Sequence, residues 1–292
     1  REVKKMLYTI VEEEKTFQPG ISCRMLDVPI TSYKYSLNHS NPCTTDKRLL
    51  HEITHIIKKF PGYGYRRVTK ALPPELSANH KLVLKLMKKH GLLHKKRKSF
   101  KPQTTDSNHS HPVAPNRIKS LIPKTINEVW VSDITYIPLR NGFAYLAVVL
   151  DIFSRKCVGW KLSKNIDTEL TVDALTVALN ARQGQHLDGL IHHSDRGVQY
   201  ANHQYTGLLA QHGILPSMSA KGNPYDNAYA ESFIKTIKAE AVYLNEYDTF
   251  DDALADIECF IGKKYNKKRL HSSIGYMPPD EFEQKILKEV SA

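Results

Sequence analysis

The stretch that decides the fold is residues 129–137, VWVSDITYI, in which a single carboxylate, Asp133, interrupts a run of apolar and β-branched residues. A run of this composition predicts a buried β-strand. A carboxylate inside a buried strand is costly unless it is paired or binds a metal ion. Asp133 is therefore a candidate functional residue rather than an ordinary strand residue.

Two further carboxylates lie in distinctive local sequences. Asp195 follows residues 190–194, LIHHS, and Glu231 lies in the helix-like run at 223–233, NPYDNAYAESF. Carboxylate oxygens alone suit Mg²⁺ or Mn²⁺ rather than zinc. Two such ions can activate an attacking oxygen and stabilise the leaving oxygen of a phosphoryl transfer. We therefore predict Asp133, Asp195 and Glu231 as catalytic residues that bind two metal ions.

The order of predicted elements indicates how these carboxylates meet. Three strands joined by short turns, with Asn141-Gly142 as a hairpin signal, precede an alternation of helices and strands. This order is typical of an α/β, ribonuclease-H-like core with a mixed five-stranded sheet and flanking helices. In that order the first and fourth strands are neighbours and the last helix crosses them. The predicted elements are strands 127–138, 143–152 and 156–162, helix 168–182, strand 188–193, helix 200–212, strand 214–217 and helix 226–241.

Charge is distributed unevenly along the 292 residues. Residues 1–120 contain 24 Lys and Arg against nine Asp and Glu, whereas the remainder contains 18 against 21. A basic N-terminal part joined to a near-neutral remainder indicates a nucleic-acid binder, although charge alone also fits a membrane-surface or ribosomal protein. No apolar run reaches the roughly 18 residues of a membrane span, so we expect no membrane partner.

The four cysteines are scattered and form no C-x-x-C pair. This spacing argues against a disulfide framework and against a zinc ribbon. A reducing compartment is the simplest interpretation, and we predict a cytoplasmic protein.

Within the basic part, three short helices predict a helix-turn-helix domain over residues 44–98, with its last helix in the major groove. Asp46 is the predicted cap of the first helix, residues 64–72 open the second and Asn79 caps the third. The alternative is a solvated three-helix bundle with an ordinary Lys-rich surface. The candidate DNA contacts are Arg66, Arg67, Lys85, Lys88 and Lys89.

Four further domains complete the predicted organisation. Residues 1–43 form an N-terminal helical segment, with another helix-turn-helix as one interpretation. Residues 99–125, rich in Pro, Ser, Asn and His, form a linker. A catalytic core over 126–245 and a C-terminal helical extension over 246–292 follow.

Further candidate DNA contacts lie beside the carboxylates. Lys235 and Lys238 follow Glu231 at i+4 and i+7, and these spacings return to the same helix face. The alternative is an exposed Glu–Lys pair that stabilises the helix by a few tenths of a kcal/mol, roughly. Arg196, next to the second aspartate, and Asn227, which with Asp226 is also a helix-cap candidate, complete the predicted set.

Several polar residues have competing interpretations. Asp151 ends the second predicted strand, where a turn-forming role competes with a catalytic one. His193 either positions the site or serves the structure. His51 and His55 have metal-ligand spacing at i and i+4, but no matching downstream Cys pair supports a zinc site.

The sequence also resembles a known family. The 35 residues between Asp195 and Glu231 match the signature of DDE transposases and retroviral integrases. Several blocks strongly resemble those of insertion-sequence-three family transposases, in particular their catalytic part. These blocks are residues 129–136, 193–200, 223–228, 265–266, 269–276 and 278–279, preceded by the helix-turn-helix entry at 62–68 and the linker at 111–116.

That resemblance implies an integrase-type catalytic core and a specific reaction. The carboxylates become a catalytic triad and Lys238 the DNA-contacting lysine. The implied activity is 3′-end cleavage at terminal inverted repeats of double-stranded DNA, followed by strand transfer into target DNA. Two Mg²⁺ ions, for which Mn²⁺ substitutes, serve each active site.

The resemblance also bears on assembly and on the gene product. Joining two DNA ends implies a homodimer or larger assembly on DNA, in a bacterial, nucleoid-associated protein. Family members are commonly frameshift fusions with a leucine zipper ahead of the catalytic part. This chain has no heptad run and no initiator Met, which fits a fragment, a processed form or the C-terminal part of a longer product.

Two other functions remain open from the sequence. One is a catalytically silent DNA-binding regulator of transposition. The other is a structure-specific nuclease on the same fold, which cuts branched or hybrid substrates without terminal repeats.

Overall fold

The computed structural model describes residues 44–93, 112–119, 121–220 and 227–291, together with residues 20, 23–24 and 29–31. The predicted helical segment 1–43 therefore falls almost wholly outside the described residues, and so does Asp226. Among the residues described, no helix is both long enough and apolar enough to cross a membrane.

The N-terminal unit is a three-helix domain. Its helices are α1 (Thr44–Lys59), α2 (Tyr65–Ala71) and α3 (His80–Lys89), and they bury Leu49, Ile53, Val68, Val83 and Met87 between them. The cap prediction for α3 is confirmed, because the Asn79 side chain accepts a hydrogen bond from the Lys81 amide at 2.9 Å. The prediction for α1 was wrong: the helix begins at Thr44, so Asp46 lies inside its first turn.

The catalytic core contains the predicted mixed five-stranded sheet. Its strands are β1 (Val129–Leu139), β2 (Gly142–Asp151), β3 (Cys157–Ser163), β4 (Ile191–Ser194) and β5 (Leu215–Met218). The spatial order is β3-β2-β1-β4-β5. The first three strands pair antiparallel, whereas β4 is parallel to β1 and β5 is parallel to β4. The first and fourth strands are therefore neighbours, as the element order predicts.

Helices cover both faces of the sheet. They are α4 (Thr168–Ala181), α5 (Val198–Ala201), α6 (His203–Gln211), α7 (Ala228–Glu240), α8 (Phe250–Glu258) and α9 (Pro279–Ser291), with a π-helical segment, Cys259–Tyr265, directly after α8. Leu146 and Val148 of β2 pack towards α7 and α8. Ala147 and Val149 pack towards α4 and α6. The apolar run in β2 is thus buried on both faces, as its composition predicts.

Two predicted boundaries differ from the structure for local reasons. The helix predicted over 200–212 is divided at Asn202, which is extended and whose side chain caps α6 by accepting from the Gln204 amide at 2.8 Å. Asparagine competes with the helix in this way because its side chain hydrogen-bonds nearby backbone. The fourth strand begins at Ile191, after Gly189 adopts a positive φ of 81° that a strand does not accommodate.

The helix-turn-helix domain contacts the end of α7 through its α1–α2 loop. The Tyr63 hydroxyl accepts a hydrogen bond from the Leu270 amide at 2.7 Å. The Glu240 carboxylate, only 5% exposed, binds the Arg269 guanidinium with both oxygens. A Cβ at Gly62 would lie 2.3 Å from Glu240 Oε1. The contact between the two domains therefore depends on the absence of a side chain at position 62.

Gly62→Ala should destabilise the chain by about 1–3 kcal/mol, because overpacking against a fixed side chain forces a backbone shift. Gly64→Ala is the matched control in the same loop, since no atom lies within 4 Å of its added Cβ. Gly64 has a φ of −78°, which alanine adopts without strain. Urea unfolding measures both, and equal midpoints would contradict the contact between Gly62 and Glu240.

Candidate active site

Strand register places the two aspartates at the same level of the sheet. Asp133 is the fifth residue of β1, and Val131, two residues before it, pairs in parallel with His193 of β4. Asp195 follows His193 by the same two residues. Parallel strands keep their register along their length. Asp133 and Asp195 therefore occupy neighbouring positions, next to the end of β4.

The start of α7 is fixed to β1 beside Asp133. The Asn227 side-chain amide donates to the Ser132 carbonyl oxygen at 2.9 Å, and the helix begins at the next residue. Glu231 therefore lies in the first turn of α7, near the aspartates. The sequence-predicted carboxylates therefore come together, close enough for Asp195 and Glu231 to raise the pKa of Asp133.

The predicted cap role of Asn227 needs a correction. It occupies the N-cap position of α7, but its side chain makes no cap hydrogen bond. The residue is buried, and its amide binds β1 instead. Asn227 thus holds the helix against the strand, while its DNA contact stays a prediction.

The carboxylate cluster is electrostatically strained. Burial and the neighbouring Asp195 carboxylate raise the pKa of Asp133 to about 8, and Glu231 adds to the effect. The Ile134 amide, which donates to Asp133 at 2.8 Å, and Lys238 oppose it. At neutral pH, Asp133 therefore holds a proton unless further positive charge enters the site.

The two lysines of α7 have different surroundings. Lys238 places its ammonium 3.8 Å from the centre of the Tyr136 ring, and burial lowers its pKa to about 8 against the opposing effect of Asp133. Lys235 is exposed and binds Glu231 at 3.1 Å, which is the helix pair considered as its alternative. The sequence did not single out Tyr136, whose only signal was its place in the block at 129–136.

Two histidines beneath the site join neighbouring strands. His192 Nε2 lies 2.8 Å from the Ser132 hydroxyl and 3.0 Å from the Tyr205 hydroxyl. Burial lowers the pKa of His192 to about 3, so its ring is neutral. His193 is fully buried and its Nδ1 lies 2.8 Å from the Ser217 hydroxyl of β5. His193 thus has the structural role that the sequence left open.

Asp151 and Arg196 bind backbone groups. The fully buried Asp151 carboxylate accepts from the Phe153 and Ser154 amides, both at 2.9 Å, which confirms its turn-forming role. The Arg196 guanidinium donates to the Ser219 carbonyl at 2.7 Å. Its DNA contact stays a prediction.

The predicted helix-turn-helix contacts fall into two groups. Arg66, Lys85, Lys88 and Lys89 lie on α2 and α3, and all four are exposed. Arg67 differs because it is half-buried, with its guanidinium 5.9 Å from the centre of the Tyr63 ring. It lies at the junction with the catalytic core, apart from the other four.

The described residues contain no group of three or more His, Cys, Asp or Glu side chains arranged to hold a metal ion. His51 and His55 are exposed on α1 and acquire no third ligand there. The three carboxylates also form no such group, because the Glu231 carboxylate is paired with the Lys235 ammonium.

Comparison with known families matches both units of the chain. Families described as integrase core domain match residues 123–224 and 212–279, and a family described as HTH-like domain matches residues 44–100. These ranges correspond to the five-stranded core with its C-terminal helices and to the three-helix unit.

Individual proteins are also similar to this chain. A chain of the simian T-cell lymphotropic virus intasome is 18% identical, with a TM-score of 0.46, over 80% of this chain and 73% of that one. The transposase for insertion sequence element IS904 of Lactococcus lactis is 40% identical over 76% of this chain and 87% of its own length. Transposase InsF for insertion sequence IS3A of Escherichia coli K12 is 32% identical over 97% of this chain and 100% of its own length. The chain belongs to the insertion-sequence-three (IS3) family of DDE transposases.

Proposed function

We propose that this DNA transposase cleaves the 3′ ends of its element at terminal inverted repeats and joins them to DNA, using Asp133, Asp195 and Glu231 as metal ligands. The observation that carries the proposal is the convergence of these carboxylates beside the half-buried Lys238. Acidic ligands next to a lysine suit a reaction in which a phosphate group is both held and attacked.

The donor set fits a divalent cation. All three side chains offer carboxylate oxygens, the ligands preferred by Mg²⁺ and Mn²⁺. The raised pKa of Asp133 reflects burial together with negative charge around it, which a cation would offset. Binding by all three residues requires Glu231 to leave Lys235. That exchange costs little, because the lysine side chain is 76% exposed and exposed ion pairs contribute at most about 1 kcal/mol.

The ions, two per site, would supply an activated water or 3′-hydroxyl and neutralise charge at the attacked phosphate. The chain supplies positioning. The Ile134 amide orients Asp133, and the Asn227 amide fixes α7 to β1. Lys238, packed over the Tyr136 ring, is placed to bind a phosphate oxygen of the substrate.

DNA recognition in this proposal is divided between the domains. Arg66 on α2, with Lys85, Lys88 and Lys89 on α3, contacts duplex phosphates near the terminal repeats. The joining of two element ends requires a homodimer or a larger assembly on DNA. A cytoplasmic, nucleoid-associated location follows from binding to chromosomal DNA.

Asp133→Asn, Asp195→Asn and Glu231→Gln should each lower cleavage and joining of terminal-repeat DNA by about 100-fold or more, equal to about 3 kcal/mol of transition-state stabilisation. The matched control is Asp173→Asn, which removes an exposed carboxylate paired with Lys161. Single-turnover assays with Mg²⁺ measure the rates. Near-parental activity of any triad variant would contradict the metal assignment.

Assays of the unsubstituted chain distinguish the proposed function from the two alternatives. Specific binding of terminal repeats without Mg²⁺-dependent cleavage would favour the silent regulator. Cleavage of branched DNA that is not reduced by competing terminal-repeat duplex would favour the structure-specific nuclease.

Lys238→Gln and Lys235→Gln test the two lysines of one helix face. Lys238→Gln should lower the joining rate by about 10-fold to 100-fold, because a desolvated charge-assisted hydrogen bond contributes about 1.5–3 kcal/mol. Lys235→Gln should change it less than about 3-fold, since an exposed charge contributes little. Equal reductions in rate would show that the burial of Lys238 has no functional consequence.

Asp133→Asn should stabilise the metal-free chain, and more so as pH rises. Between the unfolded-state pKa near 4 and the folded pKa of about 8, the native state holds a proton that the unfolded state lacks, so stability falls with pH. The asparagine variant has no group that titrates here. Its free energy of unfolding relative to the parental chain should therefore rise by about 1–3 kcal/mol between pH 5 and pH 8. Urea unfolding in EDTA measures it, with Asp173→Asn as the control, and a pH-independent difference would refute the origin of the raised pKa.

A further inference from the structure

A cleft of about 340 Å³ lies between the helix-turn-helix domain and the catalytic core. Its walls come from five separate parts of the chain: α2, the β2–β3 turn, α7, the end of the π-helical segment and the loop at 269–276. That loop has no role in the site described above. The residues that matter here are Arg67, Arg155, Ser232, Arg269, His271 and Ser273.

The cleft contains more positive than negative charge. Arg269 is matched, because both oxygens of Glu240 bind its guanidinium. Arg67 and Arg155 form no ion pair with any residue that the structure describes. Two arginine charges in the cleft are therefore left without a bound carboxylate.

Three buried nitrogen atoms in the cleft have no hydrogen-bond partner within the described part of the chain. They are Nε of Arg67, Nε of Arg155 and Nε2 of His271, whose residue is only 8% exposed. An unsatisfied buried polar group costs about 1–3 kcal/mol. Burial and the nearby arginines lower the pKa of His271 to about 2, so its ring adds no charge. The two arginine Nε–H groups can only donate, so a ligand that satisfied them would carry acceptor oxygens.

The local backbone and the Tyr229 ring fix the position of Arg155. Its backbone is left-handed, with φ at 65°, a conformation that is unfavourable for a non-glycine residue. Its guanidinium stacks 4.3 Å from the centre of the Tyr229 ring on α7. A guanidinium presents its N–H donors in a rigid fork that can bind two phosphate oxygens at once.

The cleft adjoins the carboxylate site on the same helix. Ser232, which lines the cleft, directly follows Glu231 on α7, and successive helix residues are rotated by about 100°. The cleft and the carboxylates therefore lie on neighbouring sides of the first turns of α7. We propose that the cleft between the domains binds a backbone phosphate of the DNA substrate, a second contact outside the catalytic centre. This inference rests on the proposed function only for the identity of the nucleic acid.

A phosphate bound in the cleft would hold the two domains together. Arg67 belongs to the helix-turn-helix domain, whereas Arg155 and His271 belong to the core, so the complete cleft exists only when the two domains are in contact. A phosphate bound between them stabilises that arrangement, because binding to one state favours it by mass action.

Ser273→Glu tests the cleft in the full chain without relying on catalysis. Ser273 is exposed at the cleft, so the new carboxylate should fold without strain and occupy the phosphate position. In EDTA, with a duplex of about 30 base pairs that lacks terminal repeats, the affinity should fall by about 10-fold. The slope of log K against log[salt] should decrease in magnitude by about 0.9 for each DNA phosphate that the protein no longer neutralises.

Gln183→Glu is the matched control, since it makes the same charge change at an exposed position just after α4. It should leave the salt slope unchanged. Identical affinities and slopes for Ser273→Glu and Gln183→Glu would overturn the inference. A lower melting temperature of Ser273→Glu with a parental slope would also overturn it, because that result describes a structural role alone.

Arg155→Lys keeps the positive charge but removes the guanidinium fork. It should weaken duplex binding several-fold while keeping the chain folded, whereas parental affinity would contradict the need for a fork. Inorganic phosphate provides the last arm. If phosphate raises the melting temperature of the parental chain but duplex binding is unaffected by Ser273→Glu, the cleft takes free phosphate and the DNA assignment fails.

These readouts are independent of cleavage. Weaker duplex binding by the cleft variants would support the cleft even if the parental chain proved unable to cleave DNA. Conversely, full cleavage activity with unchanged binding in the cleft variants would refute the cleft and leave the proposed function intact.

Discussion

The parallel pairing of β1 with β4 is the constraint on which the rest of the site depends. It sets Val131 opposite His193. Asp133 and Asp195 each follow these residues by two positions, so they lie side by side. His192, buried between Ser132 and Tyr205, holds the two strands in that register. A one-residue slip would turn every side chain to the opposite face of the sheet, and the aspartates would separate.

Helix α7 divides two sites of opposite charge. Glu231 and Lys238 face the aspartates, whereas Tyr229 and Ser232 line the arginine-rich cleft. Its beginning is tied to β1 through Asn227, and its end, Glu240, binds Arg269 beside the helix-turn-helix domain. The acidic cluster has an excess of negative charge, and the cleft has an excess of hydrogen-bond donors.

Much of the fold could be predicted because its signals are local. Apolar runs define the strands, and Asn79 caps its helix as the sequence indicates. The failures were local competitions that a hydrophobic pattern does not reveal: Asn202 interrupts a helix by capping the next one, and α1 begins before Asp46. The three carboxylates could be predicted from their surroundings, since a buried charge stands out against apolar neighbours. Tyr136 and Arg155 could not, because aromatic and arginine residues are common and their value here lies in what they pack against.

The sequence by itself determined the family, the order of strands and which three carboxylates would come together, because each is written in residue type and spacing. Only the tertiary structure decided which polar residues act where. Arg67, grouped by sequence with the lysines of its domain, lies instead against the catalytic core, and His193 is buried where it joins neighbouring strands. The physical reason is that burial and partnership arise from contacts between residues far apart in the chain. The same contacts brought Arg67, Arg155 and His271 into one cleft, and nothing in their separate local sequences encodes that meeting.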